Sequence, residues 1–310
     1  MQEEEKKWFA VVNPASANGR TGEMWPTFWQ KLKAAGWSVD YALTAGPQDA
    51  VSLTRDALER GERKIIAVGG DGTLNEVVNG FFNHGKPVRE DAELAVLTHG
   101  TGSDFIRTLG LVRGIDPFLE VLRSSHTIRV DVGKVEYQGY QGEVVSRYFL
   151  NVADVGLGAE IAGRVNRTSK VFGGKISFLL ASISVILAYR NKLIKCSIND
   201  EIVAEGKLNS VMVANGRYFG GGMMIAPNAE LGDGEFDIVI LGGFSTLELL
   251  RHLPKIYRGV HLQVPGVKLY RGHRIVVESE EKVMLEIDGE QPGMVPVQFS
   301  ILPQALRLWR

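Results

Sequence analysis

Short apolar runs alternate with segments of helical periodicity through the first third of the sequence, and this alternation restricts the possible folds most. The runs WFAVV (Trp8–Val12), KIIAV (Lys64–Val68) and LAVL (Leu94–Leu97) are typical of buried strands. Apolar residues over 74–81 recur with helical spacing, which predicts a helix directly after the second run. Repeated strand–helix units form parallel sheets that carry helices on both faces. We therefore predict an α/β N-terminal domain with a Rossmann-like parallel sheet over residues 1–128.

A different pattern begins after this domain, where strand-like segments separated by turn residues become frequent. Only three segments there have helical character, at about 159–169, 175–190 and 246–257. We predict a β-rich C-terminal sandwich domain over residues 129–310. Its tail, about 302–310, is a candidate for packing back on the first domain.

Composition and charge exclude several classes of protein. The formal net charge of −1 disfavours a nucleic-acid partner, and the single cysteine, Cys196, excludes an intrachain disulfide. The N-terminus, MQEEEKK, is too acidic for a secretory signal. The longest apolar run, Ile176–Tyr189, has fourteen residues, whereas a membrane-spanning helix needs about 20. We expect a buried or interfacial helix there, no transmembrane segment, and a cytoplasmic protein.

Three loops follow predicted parallel strands of the first domain: Asn13–Arg20, Gly69–Glu76 and His99–Phe105. Ligands of open α/β sheets bind at this edge. Glycines let the backbone approach a ligand, and the start of the next helix adds its positive end, so the loops predict an anion site. The P-loop pattern GxxxxGK[ST] is absent, and GxGxxG is absent from these loops, which disfavours a dinucleotide oxidoreductase.

Two of these loops carry carboxylates that would repel a bare phosphate. Asp71 and Asp104 each lie in a glycine-containing loop at the same predicted edge. Mg²⁺ is usually held by one or two carboxylates together with substrate phosphates, so the pair favours a nucleotide bound with Mg²⁺. The alternative is that both aspartates cap helices.

The sequence resembles the diacylglycerol kinase catalytic-domain family, which includes soluble bacterial lipid kinases and, more distantly, sphingosine and ceramide kinases. Five motifs occur in the family's order and cover nearly the whole chain. They are NPASANGR (Asn13–Arg20), GGDGTLNEVVNG (Gly69–Gly80), HGTGSDFIR (His99–Arg107), LGDGEFDIVI (Leu231–Ile240) and EIDGE (Glu286–Glu290). NAD kinases and phosphofructokinases have loops related to GGDGT, so the resemblance implies a first domain like theirs. The chain departs from the family at Ser103, where the family has Asn, and at Ala17, where it has Gly.

The resemblance implies an ATP- and Mg²⁺-dependent phosphotransferase that acts on a lipid hydroxyl. The catalytic residues it implies are Asp71, Asp104, Asp288 and Glu290, with Asp288 or Glu290 as the general base. The nucleotide-binding residues it implies are Asn13, Pro14, Ala15, Ser16, Ala17, Thr44, Gly70, Asp71, Gly72, Thr73, Leu74, Asn75, Glu76 and Thr101. A second, structural Mg²⁺ is implied at Glu230, Asp233 and Glu235, with Asp233 giving its carboxylate and the other two backbone carbonyls.

Two alternatives concern the acidic motifs of the second domain. Asp-Gly pairs are common in hairpin turns, so both IDGE and the DGEF of Asp233–Phe236 could be turns without a catalytic role. A carboxylate close to an acceptor hydroxyl can instead take its proton, which is what phosphoryl transfer needs beyond positioning and charge neutralisation.

We therefore predict a kinase for a lipid at the membrane surface, with diacylglycerol, giving phosphatidic acid, as the first candidate acceptor. The protein is expected to be cytoplasmic and transiently membrane-associated, and a homodimer is left open. One alternative is a soluble-substrate kinase of the NAD kinase or phosphofructokinase type. The other is a non-catalytic nucleotide or lipid sensor, against which the intact carboxylates argue.

Overall fold

A computed structural model describes residues 7–98, 103–167 and 174–310, with the backbone alone for 174–178. The chain forms two compact units. One comprises Met1–Val130 and Gln304–Arg310, and the other comprises Asp131–Pro303.

The first unit alternates strands and helices as the sequence pattern predicts. Its strands are β1 (Lys7–Val12), β2 (Ser38–Leu43), β3 (Lys64–Val68), β4 (Phe82–Asn83), β5 (Lys86–Pro87) and β6 (Glu93–Leu97). Its helices are α1 (Arg20–Ala34), α2 (Asp49–Glu59), α3 (Asp71–Phe81), α4 (Asp104–Leu109) and α5 (Ile115–Ser124).

The strands β2, β1, β3 and β6 pair in that order, all parallel, and β4 and β5 form a separate two-residue hairpin. The C-terminal segment of the chain extends this sheet, because Arg307 and Leu308 pair in parallel with β6. Trp309 then contacts Trp8 edge to face, with ring centroids 5.2 Å apart, and its indole N–H donates to Glu93 at 2.8 Å. Apolar side chains from strands and helices fill the core on this side.

The second unit is β-rich and mainly antiparallel. Its strands are β7 (Thr127–Gln138), β8 (Val144–Phe149), β9 (Val152–Gly156), β10 (Lys192–Ile198), β11 (Glu201–Leu208), β12 (Ser210–Ala214), β13 (Tyr218–Phe219), β14 (Met223–Met224), β15 (Phe236–Leu241), β16 (Val267–Gly272), β17 (Arg274–Glu278), β18 (Met284–Ile287) and β19 (Glu290–Trp309). Its helices are α6 (Leu157–Arg167), α7 (Gly174–Ala188) and α8 (Thr246–Tyr257), with a short 3₁₀ turn at His261–Gln263. The chain enters this unit within β7 and leaves it within β19.

Two groups of strands in the second unit enclose one apolar core. Strands β16, β15, β12, β9 and β18 pair consecutively, and β11, β10, β17 and β19 form the other run. Between them, Phe149 stacks on Phe236 at 5.6 Å and meets Phe299 edge to face at 6.1 Å. The predicted class, an α/β domain followed by a β-rich sandwich, is confirmed.

The apolar run at 176–189 lies in α7 except for its last residue, Tyr189, and α7 packs with α6 and α8. Among the residues that the structure describes, no helix is both long and apolar enough to cross a bilayer.

Candidate active site

The first and second predicted loops are joined by a side chain at the sheet edge. Asn13 follows β1, and its Nδ2 donates to Oγ1 of Thr73 in α3 at 3.0 Å. Its Oδ1 accepts the backbone N–H of Ala15 at 3.0 Å, which fixes the turn of the first loop. The fold therefore brings together Asn13 and Thr73, two of the predicted nucleotide-binding residues.

The rest of the first loop is held by local hydrogen bonds. The hydroxyl of Ser16 donates to that of Thr21 at 2.6 Å, and the carbonyl of Pro14 accepts the N–H of Gly22 at 3.2 Å. Ala17 adopts φ = 54°, in the left-handed region that favours glycine. Its position is the one at which the resemblance expects Gly.

The glycines after β3 leave space above the N-terminus of α3. A Cβ at Gly69 would lie 2.4 Å from Oγ1 of Thr73, so this position requires glycine. At Gly70 and Gly72, a Cβ would meet no heavy atom of the described residues within 4 Å. The space beside Gly70 and Gly72 is therefore open, and the positive end of α3 favours an anion at its N-terminus.

Asp71 is the first residue of α3, and its carboxylate is turned to the next helix of the unit. Oδ2 accepts the N–H of Asp104 at 2.9 Å, and Oδ1 accepts that of Phe105 at 3.4 Å. Burial raises the pKa of Asp71, while these two hydrogen bonds and the charges of Arg113 and Arg107 act in the opposite direction. Asp71 thus caps α4, and a cation beside it would offset the cost of burying its charge.

Asp104 begins α4 and is buried, whereas Asp71 is half-buried. Its Oδ1 accepts a hydrogen bond from Nη1 of Arg107 at 2.7 Å. The preceding residue, Ser103, has φ = 29°, and its hydroxyl lies 2.8 Å from that of Thr98. The two aspartates predicted at one edge are adjacent, and a side chain or a backbone amide already contacts each.

Glu76, like Asp71, caps a neighbouring helix. Its two carboxylate oxygens accept the N–H groups of Gln48 and Ala50 at 3.0 and 3.2 Å, at the start of α2. Both acids of GGDGTLNE therefore bind the N-terminus of a helix in a neighbouring strand–helix unit. Both carboxylates therefore have structural roles, and these roles explain why acidic residues occur in a glycine-rich loop of the phosphate-binding type.

The remaining predicted nucleotide-binding residues lie in different surroundings. Leu74 and Asn75 are buried in α3, and the carbonyl and Oδ1 of Asn75 accept hydrogen bonds from the amide of Asn79. Thr44 follows β2 and donates its backbone N–H to Val12 at 2.8 Å. Thr101 lies outside the described residues.

The second predicted metal position contains an arginine. Arg271 pairs with Asp233, and its Nη1 lies 3.3 Å from Oε2 of Glu235. The N–H of Gly234 donates to the buried carboxylate of Asp131 at 2.8 Å, which supports the turn. Glu230 precedes this turn. No group of three His, Cys, Asp or Glu side chains within the described ranges is arranged to hold a metal ion.

The IDGE motif of the second unit forms a two-residue hairpin turn. Ile287 of β18 pairs with Glu290 of β19, and Asp288 and Gly289 have φ = 45° and 93°. The turn predicted as an alternative to catalysis is therefore present. The carboxylate of Asp288 accepts three backbone N–H groups, from residues 150, 151 and 152, each at 3.1 Å. Asp288 thus fixes the turn to the segment before β9.

Glu290, the other candidate base, is partly exposed. Its side chain is 38% exposed, and Oε2 accepts a hydrogen bond from Nη1 of Arg147 at 2.8 Å. The amide of Asn166 donates to the carbonyl of Gly289 at 2.9 Å. The turn therefore presents Glu290 at the surface of its unit with a cation beside it.

A buried pair of carboxylates lies behind this turn. Glu286 and Asp154 are directly opposite each other on β18 and β9. Glu286 accepts the N–H of Gly289, and its other oxygen, Oε2, has no hydrogen-bond partner among the described atoms. Burial raises the pKa of Glu286 well above its ordinary value and that of Asp154 to about 7. The hydroxyl of Ser210 contacts Asp154 at 2.9 Å.

Sequence reasoning did not select Arg147, Asn166 or Asp154. Arg147 and Asn166 meet the IDGE turn only through long-range contacts, for which the sequence contains no local signal. Asp154 has one signal, because a carboxylate within the apolar strand VADVG is unusual at a buried position.

Comparisons with known proteins relate the chain to diacylglycerol kinases. Residues 7–135 match the diacylglycerol kinase catalytic domain, and residues 151–310 match the YegS C-terminal NAD kinase beta sandwich-like domain. The diacylglycerol kinase of Staphylococcus carnosus is 27% identical over 299 residues, covering 96% of this chain and 93% of that protein. The diacylglycerol kinase of Bacillus subtilis is 29% identical over 289 residues, covering 93% and 91%.

Solved structures include one with the same architecture over nearly the whole chain. The crystal structure of a diacylglycerol kinase from Bacillus anthracis aligns with a TM-score of 0.76 at 25% identity and covers 98% of this chain and 97% of that one.

Proposed function

The chain belongs to the diacylglycerol kinase catalytic-domain family, and on that premise we propose that it transfers the γ-phosphoryl group of ATP to a lipid hydroxyl. The observation that carries the proposal is the open space beside Gly70 and Gly72 at the N-terminus of α3, next to the half-buried Asp71 and the buried Asp104. Such an arrangement suits a nucleotide phosphate accompanied by a cation.

The first unit binds ATP in this proposal. The loop of Asn13–Ala17 and the first turn of α3, Gly70–Glu76, contribute mainly backbone N–H groups, with Thr44 and Thr101 as further contacts. Leu74, Asn75 and Glu76 act through the helix that they belong to, because Leu74 and Asn75 are buried and Glu76 caps α2.

Asp71 and Asp104 are the proposed holders of Mg²⁺. Both present carboxylate oxygens, which are the ligands that Mg²⁺ prefers, and the burial that disfavours the charge of Asp71 also makes a neighbouring cation favourable. When bound, the ion neutralises negative charge on the phosphates during transfer.

The second unit supplies the base. Glu290 takes the proton of the acceptor hydroxyl. The hydroxyl oxygen forms a bond to the γ-phosphorus while the bond from that phosphorus to the β-phosphate oxygen breaks. ADP leaves with the electron pair of the broken bond. Arg147 orients the carboxylate of Glu290 through the 2.8 Å contact. Asp288 acts as a positioning residue, because backbone N–H groups occupy its oxygens.

A second, structural Mg²⁺ is proposed at the turn of residues 230–235. Arg271 contacts the carboxylates of both Asp233 and Glu235, so Mg²⁺ would have to displace Arg271 from Asp233, with the carbonyls of Glu230 and Glu235 as the other proposed donors. We expect Mg²⁺ to raise the melting temperature of the wild type more than that of Asp233→Asn. Asp200→Asn, an exposed aspartate of the same unit, is the control.

Diacylglycerol, giving phosphatidic acid, is the proposed acceptor, because the relatives described above are named diacylglycerol kinases. A long-chain acceptor is presented by a membrane, so the proposal includes a cytoplasmic enzyme that associates transiently with a membrane surface.

The test is transfer of labelled phosphate from ATP to lipids in mixed detergent micelles, with Mg²⁺ and with EDTA. We expect a labelled phosphatidic acid that forms only with Mg²⁺. Equal transfer to a water-soluble acceptor in the absence of lipid would instead support the soluble-substrate kinase. Binding of ATP without transfer to any acceptor would support the sensor.

A further inference from the structure

A buried carboxyl group lies directly behind the turn that carries Glu290. Glu286 belongs to β18 and is 4% exposed, and its Oε1 accepts the N–H of Gly289. On the other side of the same glycine, the amide of Asn166 in α6 donates to the carbonyl at 2.9 Å. Side chains therefore hold both backbone polar groups of Gly289, the residue that precedes Glu290.

Gly289 depends on such contacts for its position. Its φ is 93°, and a Cβ built there would meet no heavy atom of the described residues within 4 Å, so close packing does not fix it. Glycine also has more backbone freedom to lose than any other residue. A change in the peptide group of Gly289 would move Glu290 directly, because the two residues are consecutive.

The surroundings of Glu286 favour its neutral form. Burial raises the pKa of Glu286 most, and the negative charges of Asp154 and Asp288 raise it further, whereas the hydrogen bond from Gly289 acts in the opposite direction. Asp154 is directly opposite on β9, and Asp288 lies in the turn itself. A like charge at such close range disfavours a second ionised carboxylate.

The contacts that stabilise a carboxylate are at Asp154 instead. The hydroxyl of Ser210 contacts Oδ1 of Asp154 at 2.9 Å, and hydrogen bonds from the backbone N–H groups of Gly158 and Ala159 also favour its charged form. Oε2 of Glu286, in contrast, has no hydrogen-bond partner among the described atoms. When only one of these two carboxyl groups is ionised, it is therefore Asp154.

A neutral Glu286 can hold the turn without adding charge. Its carbonyl oxygen accepts the N–H of Gly289 as a carboxylate oxygen would. The neutral group adds no further negative charge beside Asp154 and Asp288. It therefore suits a position whose contact with the turn is a single hydrogen bond.

We propose that Glu286 is a positioning residue for phosphoryl transfer, whose neutral carboxyl group holds the N–H of Gly289 and thereby fixes Glu290 towards the acceptor hydroxyl. The inference rests on the proposed function, in which Glu290 is the base.

The first test compares kcat and KM for ATP in the micelle assay with the full chain. Glu286→Met fills a similar space without an acceptor oxygen, and Glu286→Ala is a second variant in case methionine does not pack. We expect kcat to fall on the order of 10- to 100-fold, because the base is misplaced. KM for ATP should stay unchanged, because the proposed ATP-binding residues belong to the first unit.

Glu286→Gln is the conservative variant, because its amide is neutral and keeps one acceptor oxygen. Its kcat should stay within about threefold of the wild-type value. Glu205→Ala, on an exposed part of β11, is the control and should change neither constant. Thermal unfolding should show that each variant is folded.

A double variant shows whether Glu286 acts through Glu290. When Glu290→Gln has already removed the base, adding Glu286→Met should lower kcat by no more than about twofold. A general loss of structure would instead multiply the two effects. Hydrogen exchange of the Gly289 amide gives a readout that is independent of activity. It should be about tenfold faster in Glu286→Met and close to wild type in Glu286→Gln.

Three results would overturn this role. They are full kcat in both Glu286→Met and Glu286→Ala, multiplied losses in the double variant, and a loss in Glu286→Gln as large as that in Glu286→Met. The last result would show that Glu286 is needed as a charged carboxylate. A wild type that transfers phosphate to no acceptor would instead reject the proposed function, because the inference predicts losses only relative to an active enzyme.

Discussion

The carboxylate of Asp71 accepts the backbone N–H of Asp104 at 2.9 Å, so the aspartate of one predicted loop caps the helix that begins with the aspartate of another. Asp71 therefore has a structural role in addition to its proposed role in phosphate transfer, and a single substitution would affect both. Removing its side chain would uncap α4 as well as remove a proposed Mg²⁺ ligand. A test of Asp71 must therefore measure stability and phosphate transfer separately.

Asp71→Asn separates the two tasks, because asparagine retains one acceptor oxygen but has no charge. We expect a loss of about 1 kcal/mol in the free energy of unfolding, and a fall in transfer on the order of 100-fold. Denaturant unfolding and the micelle assay measure these quantities. Asp56→Asn, at an exposed position on α2, should change neither. An Asp71→Asn protein with full activity would contradict the role of Asp71 in transfer.

Glu290→Gln and Asp288→Asn should fail in opposite ways. Glu290→Gln removes the proposed base, so kcat should fall between about 100- and 10,000-fold with little change in unfolding free energy. Asp288→Asn replaces an acceptor of three N–H groups by a side chain with only one acceptor oxygen, which should cost about 2 kcal/mol of stability.

The measurements for this pair are kcat at saturating ATP and urea unfolding, with Glu205→Gln on an exposed part of β11 as the control. If Asp288→Asn lost kcat without losing stability, Asp288 rather than Glu290 would be the base.

Ala17→Gly should stabilise the protein. Alanine at φ = 54° costs about 1–2 kcal/mol relative to glycine in the folded state, and the greater freedom of glycine in the unfolded chain offsets roughly half of this. The expected gain is about 0.5–1 kcal/mol, measured by chemical denaturation. Ala15→Gly, in the same loop without a positive φ, should destabilise instead. A loss of stability in Ala17→Gly would show that the left-handed conformation at this position is not strained.

Asp154 should make stability depend on pH. Its folded-state pKa is raised to about 7, so between pH 4 and 7 the folded state binds more protons than the unfolded state. Its contribution to stability is therefore fully present below the unfolded pKa and is lost as pH rises toward 7. Between pH 5 and 7.5 this amounts to about 2 kcal/mol. Glu286, whose pKa is also raised by burial, acts with the same sign.

The measurement is the free energy of unfolding of the wild type and Asp154→Asn at both pH values. The stability difference between the two proteins should change by about 2 kcal/mol, with the wild type relatively more stable at pH 5. Asp200→Asn should show no such change. A difference that does not vary with pH would mean that Asp154 is ionised in the folded protein.

The sequence predicted what depends on local periodicity. Helices α2 and α8 span the predicted residues 49–59 and 246–257, and β3 spans the predicted 64–68. These elements were predictable because apolar runs and helical spacing depend only on residues that are neighbours in the sequence. The family followed from motifs that occur in a fixed order along the chain, and the two-domain class followed from the change of periodicity after residue 128.

Long-range partners could not be read in the same way. Glu76 caps α2 across 28 residues, and Arg147 meets Glu290 across 143. Each contact depends on which strands are neighbours and on their register, and neither property leaves a local pattern. The sequence therefore identified the acidic residues of the loops but not the partners that determine what each acid does.

The return of Gln304–Arg310 to the first unit affects how the protein is made. These residues pair with β6 and place Trp309 against Trp8, yet they are synthesised only after the whole second unit. At typical translation speeds, β6 would wait on the order of ten seconds for its partner strand. During that time its open edge is available to other chains, so the nascent protein is most prone to aggregation through β6 until its last residues are made and pair there.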